Sequence, residues 1–237
     1  MIAITAIIPL RAGSKRIPKK NIKLLNWKPL FTYTLDEALK SKYINEIIIT
    51  TDDEDVINIC QNDYKNYVNN WKIIILRRDT ELSQDDTSTV DVILDVLDKY
   101  QSIENIILLQ ATSPFRKVKS IDKAIELFID NDYNPVISIS KVKEYPFWQH
   151  QIDKNWYLKP LLGLQYYNTR SQDLPKTYIE NWAIYIASKK DFIKNKWFYS
   201  EKTKPIILDR IEWIDIDEPL DFDFCEFLIA NKKLWNL

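Results

Sequence analysis

The chain has 237 residues, of which 46% are hydrophobic and 28% are charged, and its formal net charge is −1. This length predicts one large α/β domain or one domain with a smaller lobe, and the near-zero charge does not favour general nucleic-acid binding. The chain has two glycines, one histidine and two cysteines, which excludes a G-x-G-x-x-G fingerprint, a Walker A loop, an HExxH site and a four-cysteine zinc site.

Short β-branched segments alternate with segments of helical periodicity. The first apolar run, residues 2–10, follows no basic region and is too short to span a membrane, so it predicts a buried strand. Strands are predicted at 3–8, 46–50, 71–76, 105–110, 135–140 and 183–187, and helices at 29–40, 53–61, 87–100, 118–129 and 219–231. Such alternation predicts a mostly parallel sheet covered on both faces. Few cysteines and no signal sequence indicate a cytoplasmic protein.

Residues 141–180 interrupt this alternation with aromatic residues, prolines and irregular spacing. We expect one domain over residues 1–237, with 141–180 as an inserted lobe. Aromatic-rich lobes often form oligomer contacts. A loop layer packed on its own sheet fits the composition equally well.

A basic loop follows the first predicted strand, where open parallel sheets bind their ligands. Residues 11–20 contain five cationic side chains, and Gly13 and Ser14 allow the backbone to turn and direct N–H groups inward. Such a loop can bind polyphosphate through side-chain charge and backbone donors. A solvated basic loop is the alternative, but the flanking prolines and the buried strand favour phosphate binding.

Two further polar clusters carry possible chemistry. Gln110, in residues 108–116 after the fourth predicted strand, offers both a donor and an acceptor, although this segment could be only a turn into a helix. Asp215 and Asp217 alternate with apolar residues, so both carboxylates face one side of an extended segment and can bind a hard cation such as Mg²⁺. The alternative is a capping pair for the helix that follows.

Together the clusters resemble the acylneuraminate cytidylyltransferase family, the CMP-sialic acid synthetases and their relatives for other nine-carbon acidic sugars. Residues 6–21 match the family's A-I-I-P-A-R-G-G-S-K-R-I-P-x-K-N pattern, 108–116 match L-L-Q-P-T-S-P-L-R, and 213–222 match S-I-D-I-D-x-x-x-D-F. Shorter matches lie at 28–30, 50–54, 86–89 and 172–175. The resemblance covers nearly the whole chain in the right order.

This resemblance implies a three-layer Rossmann-like nucleotidyltransferase fold with an inserted dimerisation lobe, acting as a homodimer without nucleic acid or membrane. It implies Mg²⁺-dependent transfer of CMP from CTP to a nonulosonic acid, with release of pyrophosphate. The implied catalytic residues are Arg11, Lys20 and Asp217, and the implied metal ligands are Asp215 and Asp217. The implied CTP-binding residues are Arg11, Gly13, Ser14, Lys15, Arg16, Lys20, Asn21, Arg78, Ser88 and Thr89. The implied sugar-binding residues are Gln110, Arg170, Gln172, Tyr185, Trp197 and Phe198.

The chain departs from the family pattern mainly in the sugar-binding half. The family's usual Asn-Gly before A-I-Y-I is Asn181-Trp182 here, which predicts a narrower sugar pocket. The acceptor therefore stays open among sialate, legionaminate, pseudaminate and an eight-carbon ulosonate. A non-catalytic CTP-binding module is an alternative of a different class, against which the intact basic and acidic motif residues argue.

Overall fold

The structure is a computed structural model that describes residues 2–231, and a seven-stranded sheet forms its centre. The sheet strands are β1 (Ile4–Leu10), β4 (Ile44–Thr51), β5 (Ile73–Arg77), β6 (Asn105–Leu108), β7 (Val136–Lys141), β10 (Tyr178–Ser188) and β11 (Lys204–Ile207). Two short hairpins lie outside it: β2 (Leu24–Leu25) with β3 (Lys28–Pro29), and β8 (His150–Ile152) with β9 (Leu158–Pro160).

Helices cover both faces of the sheet. They are α1 (Leu30–Lys40), α2 (Glu54–Asp63), α3 (Lys65–Asn69), α4 (Thr89–Lys99), α5 (Val118–Asp130), α6 (Lys189–Asn195) and α7 (Pro219–Ala230). One apolar cluster packs α1, α2 and α5 on one face, through Phe31, Cys60 and Phe128 among others. A second cluster packs α4 and α6 on the other face, through Ile93 and Phe192. Within residues 2–231 every helix is too short or too polar to cross a membrane.

The strand order is β11-β7-β10-β6-β1-β4-β5. All neighbouring strands are parallel except β10, which pairs antiparallel with both β6 and β7. The carboxyl ends of β1, β4 and β6 therefore meet at one edge, where open α/β sheets bind ligands. The predicted three-layer α/β class with a mostly parallel sheet is confirmed.

Most predicted elements are present with ends shifted by a few residues. The predicted strand at 71–76 begins later, at Ile73, because Trp71 has a φ of 61° and ends the preceding helical turn. The short elements α3, α6 and β11 were not predicted. Between β7 and β10, residues 142–177 contain the β8–β9 hairpin and loops, so the segment predicted as a lobe is bounded by two sheet strands.

Candidate active site

A cleft of about 560 Å³ opens at the carboxyl ends of β1 and β6. Four cations and three carboxylates line it, together with two polar side chains of the loop after β6. The lining residues are Pro9, Arg11, Ser14, Lys15, Arg16, Ile17, Lys20, Asn21, Asp85, Gln110, Thr112, Trp182, Asp215 and Asp217. The structure thus brings the basic loop, Gln110 and the aspartate pair together from three separate parts of the chain.

The basic loop after β1 is fixed by hydrogen bonds at both ends. The Ala12 backbone N–H donates to Asp52 Oδ1 at 2.9 Å, and Asn21 Nδ2 donates to the Arg11 carbonyl at 3.0 Å. Ile17 is buried in a third apolar cluster with Phe222 of α7, which keeps the loop beside the segment that carries the aspartates. The loop therefore presents its cations from a constrained backbone.

Gly13 does not line the cleft, and its φ is not positive. A Cβ built there meets nothing within 4 Å. Neither the backbone conformation nor the surrounding space therefore requires glycine at this position. The proposed role of Gly13 at the phosphates remains a prediction.

Carboxylates from two separate segments of the chain pair with the loop cations. Arg11 Nη1 lies 3.0 Å from Asp85 Oδ1, and Lys15 also contacts the Asp85 carboxylate. Arg16 Nη2 lies 3.2 Å from Asp217 Oδ2. Asp85 was not predicted to belong to the site, although it directly precedes the 86–89 match.

Asp215 and Asp217 present oxygen atoms suited to a divalent cation. Asp215 Oδ1 is buried and lacks a hydrogen-bond partner among the described residues. Burial raises the pKa of the Asp215 carboxyl, and the nearby charge of Asp217 raises it further. A bound cation would satisfy the unpartnered oxygen and offset the repulsion. Residues 2–231 offer no cluster of three or more His, Cys, Asp or Glu side chains for a metal, so phosphate and water oxygens would complete the shell.

Buried Arg116 holds the loop that carries Gln110. Its Nη1 donates to the carbonyls of Gln110 (3.2 Å) and Ala183 in β10 (2.7 Å), and its Nη2 donates to Thr34 Oγ1 at 2.8 Å. The loop is also tied to the aspartate segment, because the Ile216 N–H donates to the Thr112 carbonyl at 2.9 Å. Gln110 therefore sits on a rigid support, which is what a substrate-positioning group requires.

Three predicted sugar-binding aromatics form a cluster behind the cleft. Tyr185 packs against Trp197 and Phe198 with ring centroids 5.5 Å apart in both pairs, and Tyr185 and Phe198 are fully buried. Trp182, which is predicted above to narrow the sugar pocket, lines the cleft, with its ring centroid 6.0 Å from that of Tyr185.

The remaining predicted residues do not line the cleft. Buried Arg78 donates to the Thr50 carbonyl at 2.8 Å, and Ser88 caps α4, which Thr89 begins. Arg170 pairs with Asp173 at 2.8 Å in the segment between β7 and β10, and Gln172 is exposed there. These five assignments stay predictions.

Comparison with known proteins finds the same kind of enzyme that the sequence motifs resemble. Residues 5–155 match the model of the cytidylyltransferase family. The chain is 37% identical to CMP-N,N'-diacetyllegionaminic acid synthase of Legionella pneumophila, over 97% of each protein. It is 30% identical to pseudaminic acid cytidylyltransferase of Campylobacter jejuni, over 94% of each. It is 32% identical to N-acylneuraminate cytidylyltransferase of Streptococcus agalactiae, over 96% of this chain and 55% of that protein.

The solved structure of CMP:2-keto-3-deoxy-manno-octonic acid synthetase complexed with CTP superposes with a TM-score of 0.69. The match covers 98% of this chain and all of that one, at 17% identity, and shows that the fold is shared. The predicted family resemblance and the predicted enzyme class, nucleotidyltransferase, are confirmed. The motifs, the fold and the relatives agree that this chain belongs to the cytidylyltransferase family.

Proposed function

We propose that this enzyme transfers CMP from CTP to a nonulosonic acid and releases pyrophosphate. The observation that carries the proposal is the cleft itself. It is lined by Arg11, Lys15, Arg16 and Lys20 together with Asp215 and Asp217, and Asp215 Oδ1 lacks a hydrogen-bond partner among the described residues. This combination suits a triphosphate with a bound cation. The relatives named for legionaminic, pseudaminic and N-acylneuraminic acids supply the acceptor class.

In the proposed reaction, the anomeric hydroxyl oxygen of the sugar attacks the α-phosphorus of CTP. The new O–P bond forms as the bond from the α-phosphorus to the α–β bridging oxygen breaks. The hydroxyl proton goes to solvent, and pyrophosphate leaves. Negative charge develops on the phosphate oxygens, and preorganised cations such as Arg11 and Lys20 stabilise it.

Asp215 and Asp217 are the proposed ligands of Mg²⁺. When bound, the ion would neutralise charge on the triphosphate and help orient it. Chelation with EDTA is expected to abolish turnover, and added Mg²⁺ to restore it. Full activity in EDTA would contradict the proposed requirement for Mg²⁺.

The acceptor is tested by pyrophosphate release from CTP with four acids: N-acetylneuraminate, N,N'-diacetyllegionaminate, pseudaminate and 3-deoxy-manno-octulosonate. The legionaminate is expected to be preferred, because the relative named for it aligns at 37% identity over 97% of this chain. Asp217→Asn should lower kcat by about 10²- to 10³-fold, because it weakens the binding of the cation that would neutralise the developing phosphate charge. Asp223→Asn, on the exposed side of α7, is the matched control. CTP binding without turnover of any acid would refute the proposed function.

We also propose that the segment between β7 and β10 makes the enzyme a homodimer. Exposed apolar side chains are concentrated there, including Tyr157, Leu158, Leu161 and Leu164. An exposed apolar patch of this kind fits an interface between copies of the chain. Light scattering is expected to give a dimer, and Leu158→Lys with Leu164→Lys a monomer. Ile193→Lys, at an exposed site on α6, should leave the dimer intact; a monomeric parent enzyme would contradict the proposal.

The reaction is proposed to occur in the cytoplasm, where CTP is available. The two cysteines, Cys60 and Cys225, are free and buried. Free thiols are usual in a reducing compartment.

A further inference from the structure

Four tryptophans have a backbone conformation that bulky residues rarely adopt. Trp27, Trp71, Trp156 and Trp182 have φ values of 71°, 61°, 67° and 61°. A positive φ is a genuine outlier for a bulky L-residue, and glycine is the residue that adopts it without steric cost. Four of the nine non-glycine residues with positive φ in the described chain are therefore tryptophan, although tryptophan makes up only 8 of 237 residues.

Two of these tryptophans lie in hairpin turns. Asn26 and Trp27 form the two-residue loop between β2 and β3, and both have positive φ, as in a type I′ turn, for which Asn-Gly is the preferred pair. In the β8–β9 hairpin, the Trp156 N–H donates to the Asp153 carbonyl at 2.9 Å, and Trp156 itself has the left-handed conformation. This hydrogen bond and the φ of 67° at Trp156 fit a type I turn followed by a G1 bulge, whose left-handed position favours glycine.

The other two lie at a helix end and in a strand. Trp71 is the second residue after α3, and its N–H donates to the Val68 carbonyl at 3.2 Å. This is the left-handed position at which helices usually end in glycine. Trp182 lies where the pairing of β10 with β7 shifts register, between Glu180 and Tyr185. Such bulges also use glycine.

Each of these four tryptophans directly follows an asparagine, and the sequence contains no other Asn-Trp pair. Their side chains are 89%, 76%, 84% and 45% exposed, in chain order. Tryptophan is highly buried on average, so exposure of 76% or more at positions 27, 71 and 156 means that packing does not explain tryptophan there. Two glycines are present in 237 residues, whereas average usage predicts roughly sixteen.

We infer that the functional enzyme carries glycine at positions 27, 71, 156 and 182. The codon UGA is read as tryptophan in some genetic codes and as glycine in others, and a host of the second kind would insert glycine at all four. Four different backbone motifs, each of which favours glycine, would then contain it.

The consequence for the cleft is at position 182. The Trp182 ring lines the side of the cleft beside Tyr185 and Trp197, with ring centroids 6.0 and 6.3 Å away. Glycine at this position removes that ring and opens the cleft toward the aromatic cluster. This part of the inference rests on the proposed function, because it assigns the opened space to the acceptor sugar.

The decisive test determines the four codons in the gene and the four residues in the protein from its native host. The four codons are expected to be UGA, and peptide mass spectrometry of the enzyme purified from its native host is expected to find glycine at each position. UGG codons, or tryptophan in those peptides, would overturn the inference. This test uses no activity measurement, so it can succeed even where transfer to nonulosonic acids fails.

A second test uses the recombinant tryptophan-containing chain. At each position, the Trp→Ala substitution removes the ring but keeps a Cβ on a left-handed residue. The Trp→Gly substitution removes both the ring and the Cβ. Trp27→Gly, Trp71→Gly and Trp156→Gly should each have a Tm above that of the matching alanine variant, by roughly 2–4 °C. Trp148→Gly is the control at similar exposure to Trp182 but without positive φ, and it should lower Tm. Alanine variants as stable as the glycine variants would contradict the inference.

For the cleft, Trp182→Gly is expected to raise kcat/KM for the preferred nonulosonic acid by about tenfold or more, the size expected when a pocket gains room for a substrate group. KM for CTP should stay unchanged. An unchanged kcat/KM for every acid, together with turnover by the parent chain, would show that the cleft does not need glycine at this position.

Discussion

At the scale of single residues, Lys20 connects the phosphate-binding loop to the aspartate segment. Its Nζ donates to the Ile216 carbonyl at 2.7 Å and lies 3.4 Å from Asp217 Oδ1. The neighbouring Lys19 has a φ of 52°, and its Nζ pairs instead with Asp55 at 2.8 Å. Two adjacent lysines of the same charge therefore have different surroundings, and only Lys20 lines the cleft.

This pair gives a matched prediction. Lys20→Met should lower kcat/KM for CTP by about 10²-fold, because it removes one preorganised cation from the developing phosphate charge. Lys19→Met removes the same charge outside the cleft and should keep kcat/KM within about twofold, since exposed ion pairs contribute little. Initial rates at varied CTP concentration measure both. Equal losses in the two variants would mean that overall charge, and not position, matters.

The cleft residues that could be predicted from the sequence differ physically from those that could not. Arg11, Lys20 and Asp217 lie in contiguous motifs, so their spacing along the chain identifies them. Asp85 lies in a segment whose side-chain direction depends on tertiary packing, and a single sequence does not contain that information. Asp221 was visible in the 213–222 match, but its role as a cap appears only in the structure.

At the scale of elements, the amino end of α7 positions the aspartate pair. Asp221 Oδ2 accepts hydrogen bonds from the Glu218 N–H at 2.7 Å and from the Asp217 N–H at 2.9 Å. The first bond belongs to a capping box that begins the helix. The second fixes the backbone of a proposed metal ligand. One carboxylate thus starts the helix and orients the site.

Asp221→Ala is therefore expected to have two effects. Loss of the cap should lower the free energy of unfolding by about 1 kcal/mol, measured by urea denaturation. Loss of the bond to the Asp217 N–H should raise the Mg²⁺ concentration that gives half-maximal activity. Asp223→Ala, which changes an exposed carboxylate one half-turn along α7, should leave the Mg²⁺ requirement unchanged. A stability loss without any change in the Mg²⁺ requirement would limit Asp221 to helix capping.

The elements that could be predicted are those with strong periodicity. The long buried strands and amphipathic helices carry their pattern over many residues, whereas β11 has four residues and contains Pro205. Proline is tolerated there because β11 is an edge strand with one partner, β7. The first three residues of β10, 178–180, were assigned to the lobe, and the strand was predicted only over 183–187, after the register shift between Glu180 and Tyr185.

At the scale of the whole molecule, buried thiol and phenol groups make the stability of the fold depend on alkaline pH. Burial raises the pKa of the Cys60 and Cys225 thiols to about 12, and it also raises the pKa of Tyr64 and Tyr185. Above about pH 9 the unfolded chain releases thiol protons that the folded chain keeps. The unfolded state then binds fewer protons, so stability falls as pH rises.

The expected slope is about 1.4 kcal/mol per pH unit for each thiol once the unfolded thiols are ionised. Urea unfolding at pH 8, 9, 10 and 11 measures it. The variant with Cys60→Ala and Cys225→Ala should show a shallower decline over the same range, even though it is less stable at pH 8. Parallel curves for the parent and the variant would show that the thiols do not contribute.

The antiparallel strand β10 also constrains the order in which the sheet can assemble. β5, β4, β1 and β6 are contiguous and complete by residue 108, so this half can form while the rest of the chain is still being synthesised. β7 pairs only with β10 and β11, and both are synthesised after it. From residue 141 until residue 188 the chain therefore carries a strand with no partner. Translation through the segment between β7 and β10 is the interval in which the nascent chain is most exposed to aggregation.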